Sequence, residues 1–171
     1  MALVLTSPGI PMIFQGQELL EDRWFQDKDP IDWSRAEDEN DILGMYRDLI
    51  GLRCNRSGVT RGLCGQNIGI YHFNIETKLI AFHRSDKQGP KDSVVVVVNM
   101  MNQNRDGYVI GFPRVGLWKT RFNSDSYVYD PNFANYPAPD VETRAEKTDG
   151  LPCCGEIGIG PYIVVIFSQD E

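Results

Sequence analysis

Five consecutive valines, Val94–Val98, constrain this chain more than any other feature of its sequence. β-Branched side chains favour extended backbone, and an unbroken apolar run has no polar face to offer to water. Ser93 to Asn99 is therefore predicted to be a strand with both faces covered. A sheet holding such a strand needs one layer above it and another below.

Around that run the patterning has a period of two. Ile68–Asn74 and Lys78–Arg84 read as strands joined by a tight turn at Ile75, Glu76 and Thr77. Tyr108–Phe112 and Leu117–Asn123 follow. A turn-rich excursion then runs from Ser124 to Gly150, and Gly155–Ile159 and Tyr162–Phe167 complete the series. Many short strands at regular spacing with Gly/Pro turns indicate an antiparallel β-sandwich. Upstream the period changes. Between Asp41 and Cys54, residues Ile42, Leu43, Tyr46, Leu49 and Ile50 fall on one face of a helix. Asn40 or Asp41 can cap its start, and turn formers from Asn55 to Gly58 end it. Before the helix lies a polar segment, Leu19 to Asn40, rich in Asp and Glu and interrupted by Trp24, Phe25, Pro30 and Trp33. Loops this long are usually functional or attached to something further.

The charge balance narrows the partners. A net charge of −7 argues against nucleic acid or anionic lipid, either of which needs a basic patch. No run approaches membrane-spanning length. The acidic excess is concentrated in residues 1–56, where 11 Asp/Glu face 6 Lys/Arg. It reads as a solvated acidic loop, because no Asp-x-Asp-x-Asp spacing with a glycine turn is present to hold a cation. The four cysteines, Cys54, Cys64, Cys153 and Cys154, include no paired Cys-x-x-Cys, so no zinc site is predicted. Cys153 and Cys154 read as small buried side chains beside a turn. Met1-Ala2-Leu3-Val4-Leu5 lacks a basic leader, and the expected location is the cytoplasm. No cofactor is expected.

The stretch Pro8-Gly9-Ile10-Pro11-Met12-Ile13-Phe14-Gln15-Gly16-Gln17-Glu18 reads as a buried strand, Ile10–Phe14, delivering polar groups from its C-terminal end. It resembles the last barrel strand of the α-amylase superfamily of glycoside hydrolases and transglycosylases, which carry a similar Gly-x-Pro-x-apolar-x-x-Gly-x-Glu pattern. Asp29-Pro30-Ile31-Asp32-Trp33-Ser34 resembles the Pro-apolar-Asp-Trp element that some members carry after that strand, and Leu49-Ile50-Gly51-Leu52-Arg53 the end of their final barrel helix. Val94–Asn99, Asn123-Ser124-Asp125 and the run from Gly160 to Phe167 resemble the C-terminal domain of glucan branching enzymes.

The resemblance implies a mainly β chain. Residues 1–56 would be a remnant strand and helix from the last unit of a (β/α)8 barrel, and 57–171 a C-terminal antiparallel β-sandwich. It implies an α-1,4-glucan as the parent enzyme's substrate and the missing catalytic barrel as this chain's partner. No catalytic residue is expected here, because the family's nucleophilic Asp, acid/base Glu and stabilising Asp lie on earlier strands. The chain alone is expected to be inactive. A stand-alone glucan-binding module and a purely structural domain are the rival readings.

The candidate substrate contacts are Gln17, Glu18, Trp24, Phe25, Asp32 and Trp33. Aromatic faces suit the CH faces of sugars, though packing over the barrel mouth explains Trp24, Phe25 and Trp33 equally well. Glu18 and Asp32 are poor candidates for a hydrolytic pair, which needs two carboxyls about 5–5.5 Å apart with one desolvated. For Tyr127, Tyr129, Phe133 and Tyr136 packing within the excursion is expected, and for His72 and His83 structural hydrogen bonds. A barrel strand without neighbours has unpaired edges, so residues 1–40 are expected to stay loose or to pair with a second copy.

Overall fold

The computed structural model describes residues 1–37, 41–87 and 92–170. Its secondary structure is mostly antiparallel β. Among the described residues two α-helices, α1 (Ala2–Thr6) and α2 (Ile42–Arg53), precede eight strands: β1 (Asn67–Asn74), β2 (Leu79–Ser85), β3 (Ser93–Asn99), β4 (Arg105–Phe112), β5 (Gly116–Asn123), β6 (Val141–Thr143), β7 (Cys153–Ile159) and β8 (Val164–Ser168). Six strands form one sheet in the order β1-β2-β3-β8-β5-β6, and β4 pairs with β7 in a second.

The valine run lies where its composition demands. In β3, Val95 and Val97 join Leu79, Ala81, Val165 and Phe167 beneath Ile110, Phe112, Ile157 and Ile159 of the second sheet. Val94, Val96 and Val98 point the other way, where Leu49 of α2, Ala2 and Leu5 of α1 and Leu63 cover them. One face of the six-stranded sheet is thus closed by another sheet and the opposite face by helices. Trp118 is fully buried in β5, its ring 5.2 Å from that of Phe112 and its indole N–H donated to the Arg114 carbonyl. Gly155 in β7 has no side chain because a Cβ there would stand 2.4 Å from Val141 Cγ1.

The helical cover is fastened by two arginines. Arg84, fully buried in β2, donates to the carbonyls of Thr6, Leu63, Gly65 and Asn67. A buried guanidinium is tolerable only when its fixed fork of donors is met in this way. Arg53, at the end of α2, donates to Leu5 O at 2.8 Å, to Ser7 O at 2.7 Å and to Gly9 O. The start of α2 is capped by Asp41, whose carboxylate accepts from Gly44 N at 2.7 Å. The other candidate cap, Asn40, lies outside the described residues.

The sequence reading needs correction at the N-terminus. Ile10–Phe14 is not a strand, and residues 2–6 are helical. A strand exists through the hydrogen bonds of its neighbours, and among the described residues no strand lies beside 10–14. The preceding residues gain more by coiling, which buries Ala2 and Leu5. Of residues 1–40, expected to be loose or paired with a second copy, residues 1–9 are held to the strands by α1 packing and by Arg53 and Arg84. Ile10 and Met12 remain 97% and 83% exposed. Smaller differences follow from pattern limits. β6 has only three residues, too few for alternation to stand out from the excursion around it. β8 begins two residues later than expected because Tyr162 takes a left-handed turn at φ 55°.

Candidate functional site

The candidate contacts cluster around the turn where the apolar run stops. Gly16 takes φ +84°, a left-handed conformation that favours glycine, and opens a single 3-10 turn over Gln17–Leu19. Gln17 is exposed. Its side-chain carbonyl folds back to accept Phe14 N–H at 2.8 Å. Glu18 points inward, and its Oε2 is buried with no hydrogen-bond partner among the described residues. It lines a pocket of about 240 Å³ with Ile13, Phe14, Leu43, Tyr46 and Arg47. Burial, with the Glu18 charge second, raises the Tyr46 hydroxyl above the usual tyrosine range.

Trp24 and Phe25 share an adjoining, smaller pocket of about 60 Å³ with Phe14, Glu21 and Arg23. Phe25 packs against Phe14, ring centroids 5.1 Å apart, while Trp24 is 87% exposed. Asp32 accepts from the Ser34 hydroxyl at 2.6 Å and from its amide at 3.1 Å, which starts the 3-10 turn over Trp33–Glu37. Those bonds lower the Asp32 carboxyl, the Ser34 hydroxyl most. Trp33 is 64% exposed. The structure therefore brings Trp24 and Phe25 together, sets Glu18 in the neighbouring pocket, and gives Asp32 and Gln17 local structural partners.

Sequence reasoning missed the residues that shape this loop. Glu21 takes a bidentate ion pair from Arg23 at 2.8 and 2.7 Å and accepts weakly from Asp32 N–H. The Arg23 side chain is the main reason the Glu21 carboxyl is lowered to about 2. Arg23 also reaches Pro30 O, and Arg35 reaches Leu20 O and Asp22, so both ends of the acidic loop are tied across. Opposite charges two residues apart at Glu21 and Arg23 were the one sequence signal for this.

Several polar side chains of the strands and the excursion are hydrogen-bonded within the fold. His72 bridges Asp149 at 3.0 Å and the Tyr108 hydroxyl at 3.1 Å. His83 departs from expectation, since its Nε2 is buried without a hydrogen bond among the described residues and burial lowers its pKa. Tyr129 is buried against Phe122 and donates to Asp48 of α2 at 2.8 Å, so the excursion packs on the helix as well as on itself. Tyr136 donates to the Asp106 carboxylate, while Tyr127 is exposed. Cys153 and Cys154 are both buried. Among the described residues no group of three or more His, Cys, Asp or Glu is placed to hold a metal, and no helix is long and apolar enough to cross a membrane.

Such a sandwich, closed on one sheet face by a second sheet and on the other by helices, defines an all-β domain whose helix α2 lines open apolar pockets. The comparisons give the family: residues 72–170 match the alpha amylase, C-terminal all-beta domain, and the chain belongs to that family. Similar curated proteins are 1,4-alpha-glucan branching enzymes GlgB. The one from Rhodospirillum rubrum is 27% identical over 173 residues, covering 96% of this chain and 22% of the enzyme. That of Paraburkholderia xenovorans is 28% identical, covering 96% of this chain and 23% of the enzyme. The chain thus spans about a quarter of the length of the curated relatives it matches. Among solved structures, a pullulanase from Bacillus acidopullulyticus superposes with a TM-score of 0.59 at 17% identity, over 98% of this chain and 19% of that one. A pullulanase from Paenibacillus barengoltzii gives 0.58 at 21%, over 99% and 24%. At these identities the structures speak for the fold.

Proposed function

We propose that this chain is the C-terminal portion of an α-glucan-active enzyme of the branching type, without catalytic residues of its own, and that it supports a catalytic barrel. On this reading residues 1–56 complete the barrel's last unit and residues 57–171 brace it from outside. The parent reaction would cleave an α-1,4 link through a covalent glucosyl-enzyme and transfer the glucan to a sugar 6-hydroxyl or to water. A cytoplasmic location goes with that role.

The observation that carries the reading is the two-sidedness of α2. Leu49 is buried on the β-sheet side, while the half-buried Leu43 lines an open pocket with Phe14, and Ile10, Met12 and Phe14 stay exposed. Burying one aliphatic side chain is worth roughly 1.5–3 kcal/mol, so this surface strongly favours a cover. A barrel supplies one, and in the isolated chain a second copy would compete for the same surface. Trp24, Phe25 and Glu18 would stand at the barrel rim, where glucan contact is the role proposed for them.

The test replaces the corresponding C-terminal region of the Rhodospirillum rubrum branching enzyme with this chain and follows amylose branching by iodine staining. The chimera is expected to branch amylose, and the chain alone is expected neither to branch nor to hydrolyse it. Activity of the isolated chain that is lost in Glu18→Gln would refute a non-catalytic role. In the folded chimera, Trp24→Ala is expected to weaken the fluorescence response to maltooligosaccharides. An unchanged response would remove Trp24 from the rim.

A further inference from the structure

We propose that Cys54 and Cys64 form an oxidisable thiol pair whose intramolecular disulfide would bridge the junction between the helical segment and the β-sandwich. Cys54 is the C-cap of α2, and Cys64 ends the 3-10 turn Arg61–Cys64 that leads into β1. The two lie on opposite sides of the connection where helical patterning gives way to strands. Both are exposed, and both line one apolar pocket of about 530 Å³ with Leu5, Ile13, Ile50 and Leu63.

Their separation is bounded by one hydrogen bond. The Cys64 thiol donates to Arg53 O at 3.2 Å. That oxygen belongs to the peptide joining Arg53 to Cys54, and standard peptide dimensions put it about 2.8 Å from Cys54 Cα. Cys64 Sγ is therefore within roughly 6 Å of Cys54 Cα, against about 4.5 Å at most in a formed disulfide. Rotation of the Cys64 side chain about χ1 accounts for a difference of this size. The connection is held short by Thr60, whose hydroxyl donates to Leu52 O at 2.7 Å and whose amide donates to the Asn55 side chain at 2.8 Å.

The chemistry is thiol–disulfide exchange with a low-molecular-weight disulfide such as oxidised glutathione. The pocket wall, and next the neighbouring Cys54, hold the Cys64 thiol above its usual range, which keeps it protonated and donating to Arg53 O. Because the Cys64 thiol is engaged with Arg53 O, first attack falls to Cys54. Its thiolate breaks the glutathione S–S bond, forming a mixed disulfide and releasing one glutathione thiolate. Cys64, after losing its proton to solvent, attacks the Cys54 sulfur and displaces the second glutathione. Two protein thiols are oxidised and one glutathione disulfide is reduced to two thiols. Cys153 and Cys154 are buried and take no part.

The experiment incubates the folded full chain with oxidised glutathione and reads intact mass, the number of thiols open to iodoacetamide, and a non-reducing peptide map. A loss of about 2 Da, disappearance of both reactive thiols and a cross-linked peptide pair containing Cys54 and Cys64 are expected. Cys64→Ser should stop at a single glutathione adduct on Cys54, and Cys54→Ser should slow the reaction of Cys64 severalfold. Circular dichroism of each variant establishes that it is folded. Two stable glutathione adducts on the unsubstituted chain, or a disulfide between two chains in place of the internal one, would overturn the proposal.

Discussion

Leu49→Ala and Leu43→Ala, compared on the same helix, ask whether α2 has one docked face and one face awaiting a partner. Leu49 is 1% exposed and packs among Val94, Val96, Leu5 and Leu63. Leucine-to-alanine changes at such sites cost about 2–5 kcal/mol, because a cavity remains in addition to the lost transfer energy. Two rigid valines, α1 and the 3-10 turn that carries Leu63 surround Leu49, so little collapse is available and about 3–4 kcal/mol is expected. For a domain of this size, 1 kcal/mol shifts Tm by about 2–4 °C, which gives roughly 6–16 °C. Leu43 is half-buried on the pocket side and belongs to neither core cluster. Its truncation leaves no enclosed cavity and should cost about 1 kcal/mol or less, under roughly 4 °C. Differential scanning fluorimetry on the isolated chain measures both. Equal shifts would refute the reasoning, since they would mean that α2 is covered on both faces or on neither.

Arg84→Met removes the donor shared by Thr6, Leu63, Gly65 and Asn67 while keeping most of the side-chain volume. A loss of about 3–5 kcal/mol is expected by urea denaturation, and an unchanged midpoint would show those carbonyls find other donors. Acid should release the loop from Glu21 to Asp32 late. The Glu21 carboxyl is lowered in the folded chain, so the stabilisation it provides is complete above the unfolded value of 4.5 and is lost as pH falls toward about 2. Trp24 fluorescence should follow that transition, and Arg23→Gln should move its midpoint up toward the ordinary glutamate range. Identical midpoints in the two proteins would remove Arg23 as the cause.

The parts of the fold that were legible in sequence are those whose local pattern and burial agree. The valine run, the face formed by Leu49 with Ile42 and Tyr46, and the β1–β2 hairpin all satisfy their backbone within a few residues or announce full burial by composition. The segment 10–14 reads as a strand because β-branched and aromatic residues recur there, but strand formation depends on neighbours, which composition cannot report. α1 was hidden for the converse reason. Ala2–Thr6 is too short to show a period of 3.6 and is helical because Ala2 and Leu5 find a surface. At the candidate site, Trp24 and Phe25 line one pocket, whereas Trp33, grouped with them in the sequence, does not line it. Glu21 and Arg23 were passed over, because an ion pair closing a loop looks like any other pair of surface charges until the loop's path is known.

The position of β8 bears on how the domain is made. This strand lies in the middle of the six-stranded sheet, hydrogen-bonded to β3 on one side and to β5 on the other. During synthesis, β1, β2 and β3 can assemble as a meander as soon as they emerge. The fully apolar edge of β3 must then wait until residues 164–168 have been translated. For that interval the nascent chain displays a row of unpaired valine amides and carbonyls, the kind of edge on which intermolecular sheets grow. Until then no contact of the finished sandwich covers that edge of Val94–Val98. A C-terminal deletion that removes β8 would therefore be expected to yield inclusion bodies, not a merely weakened domain.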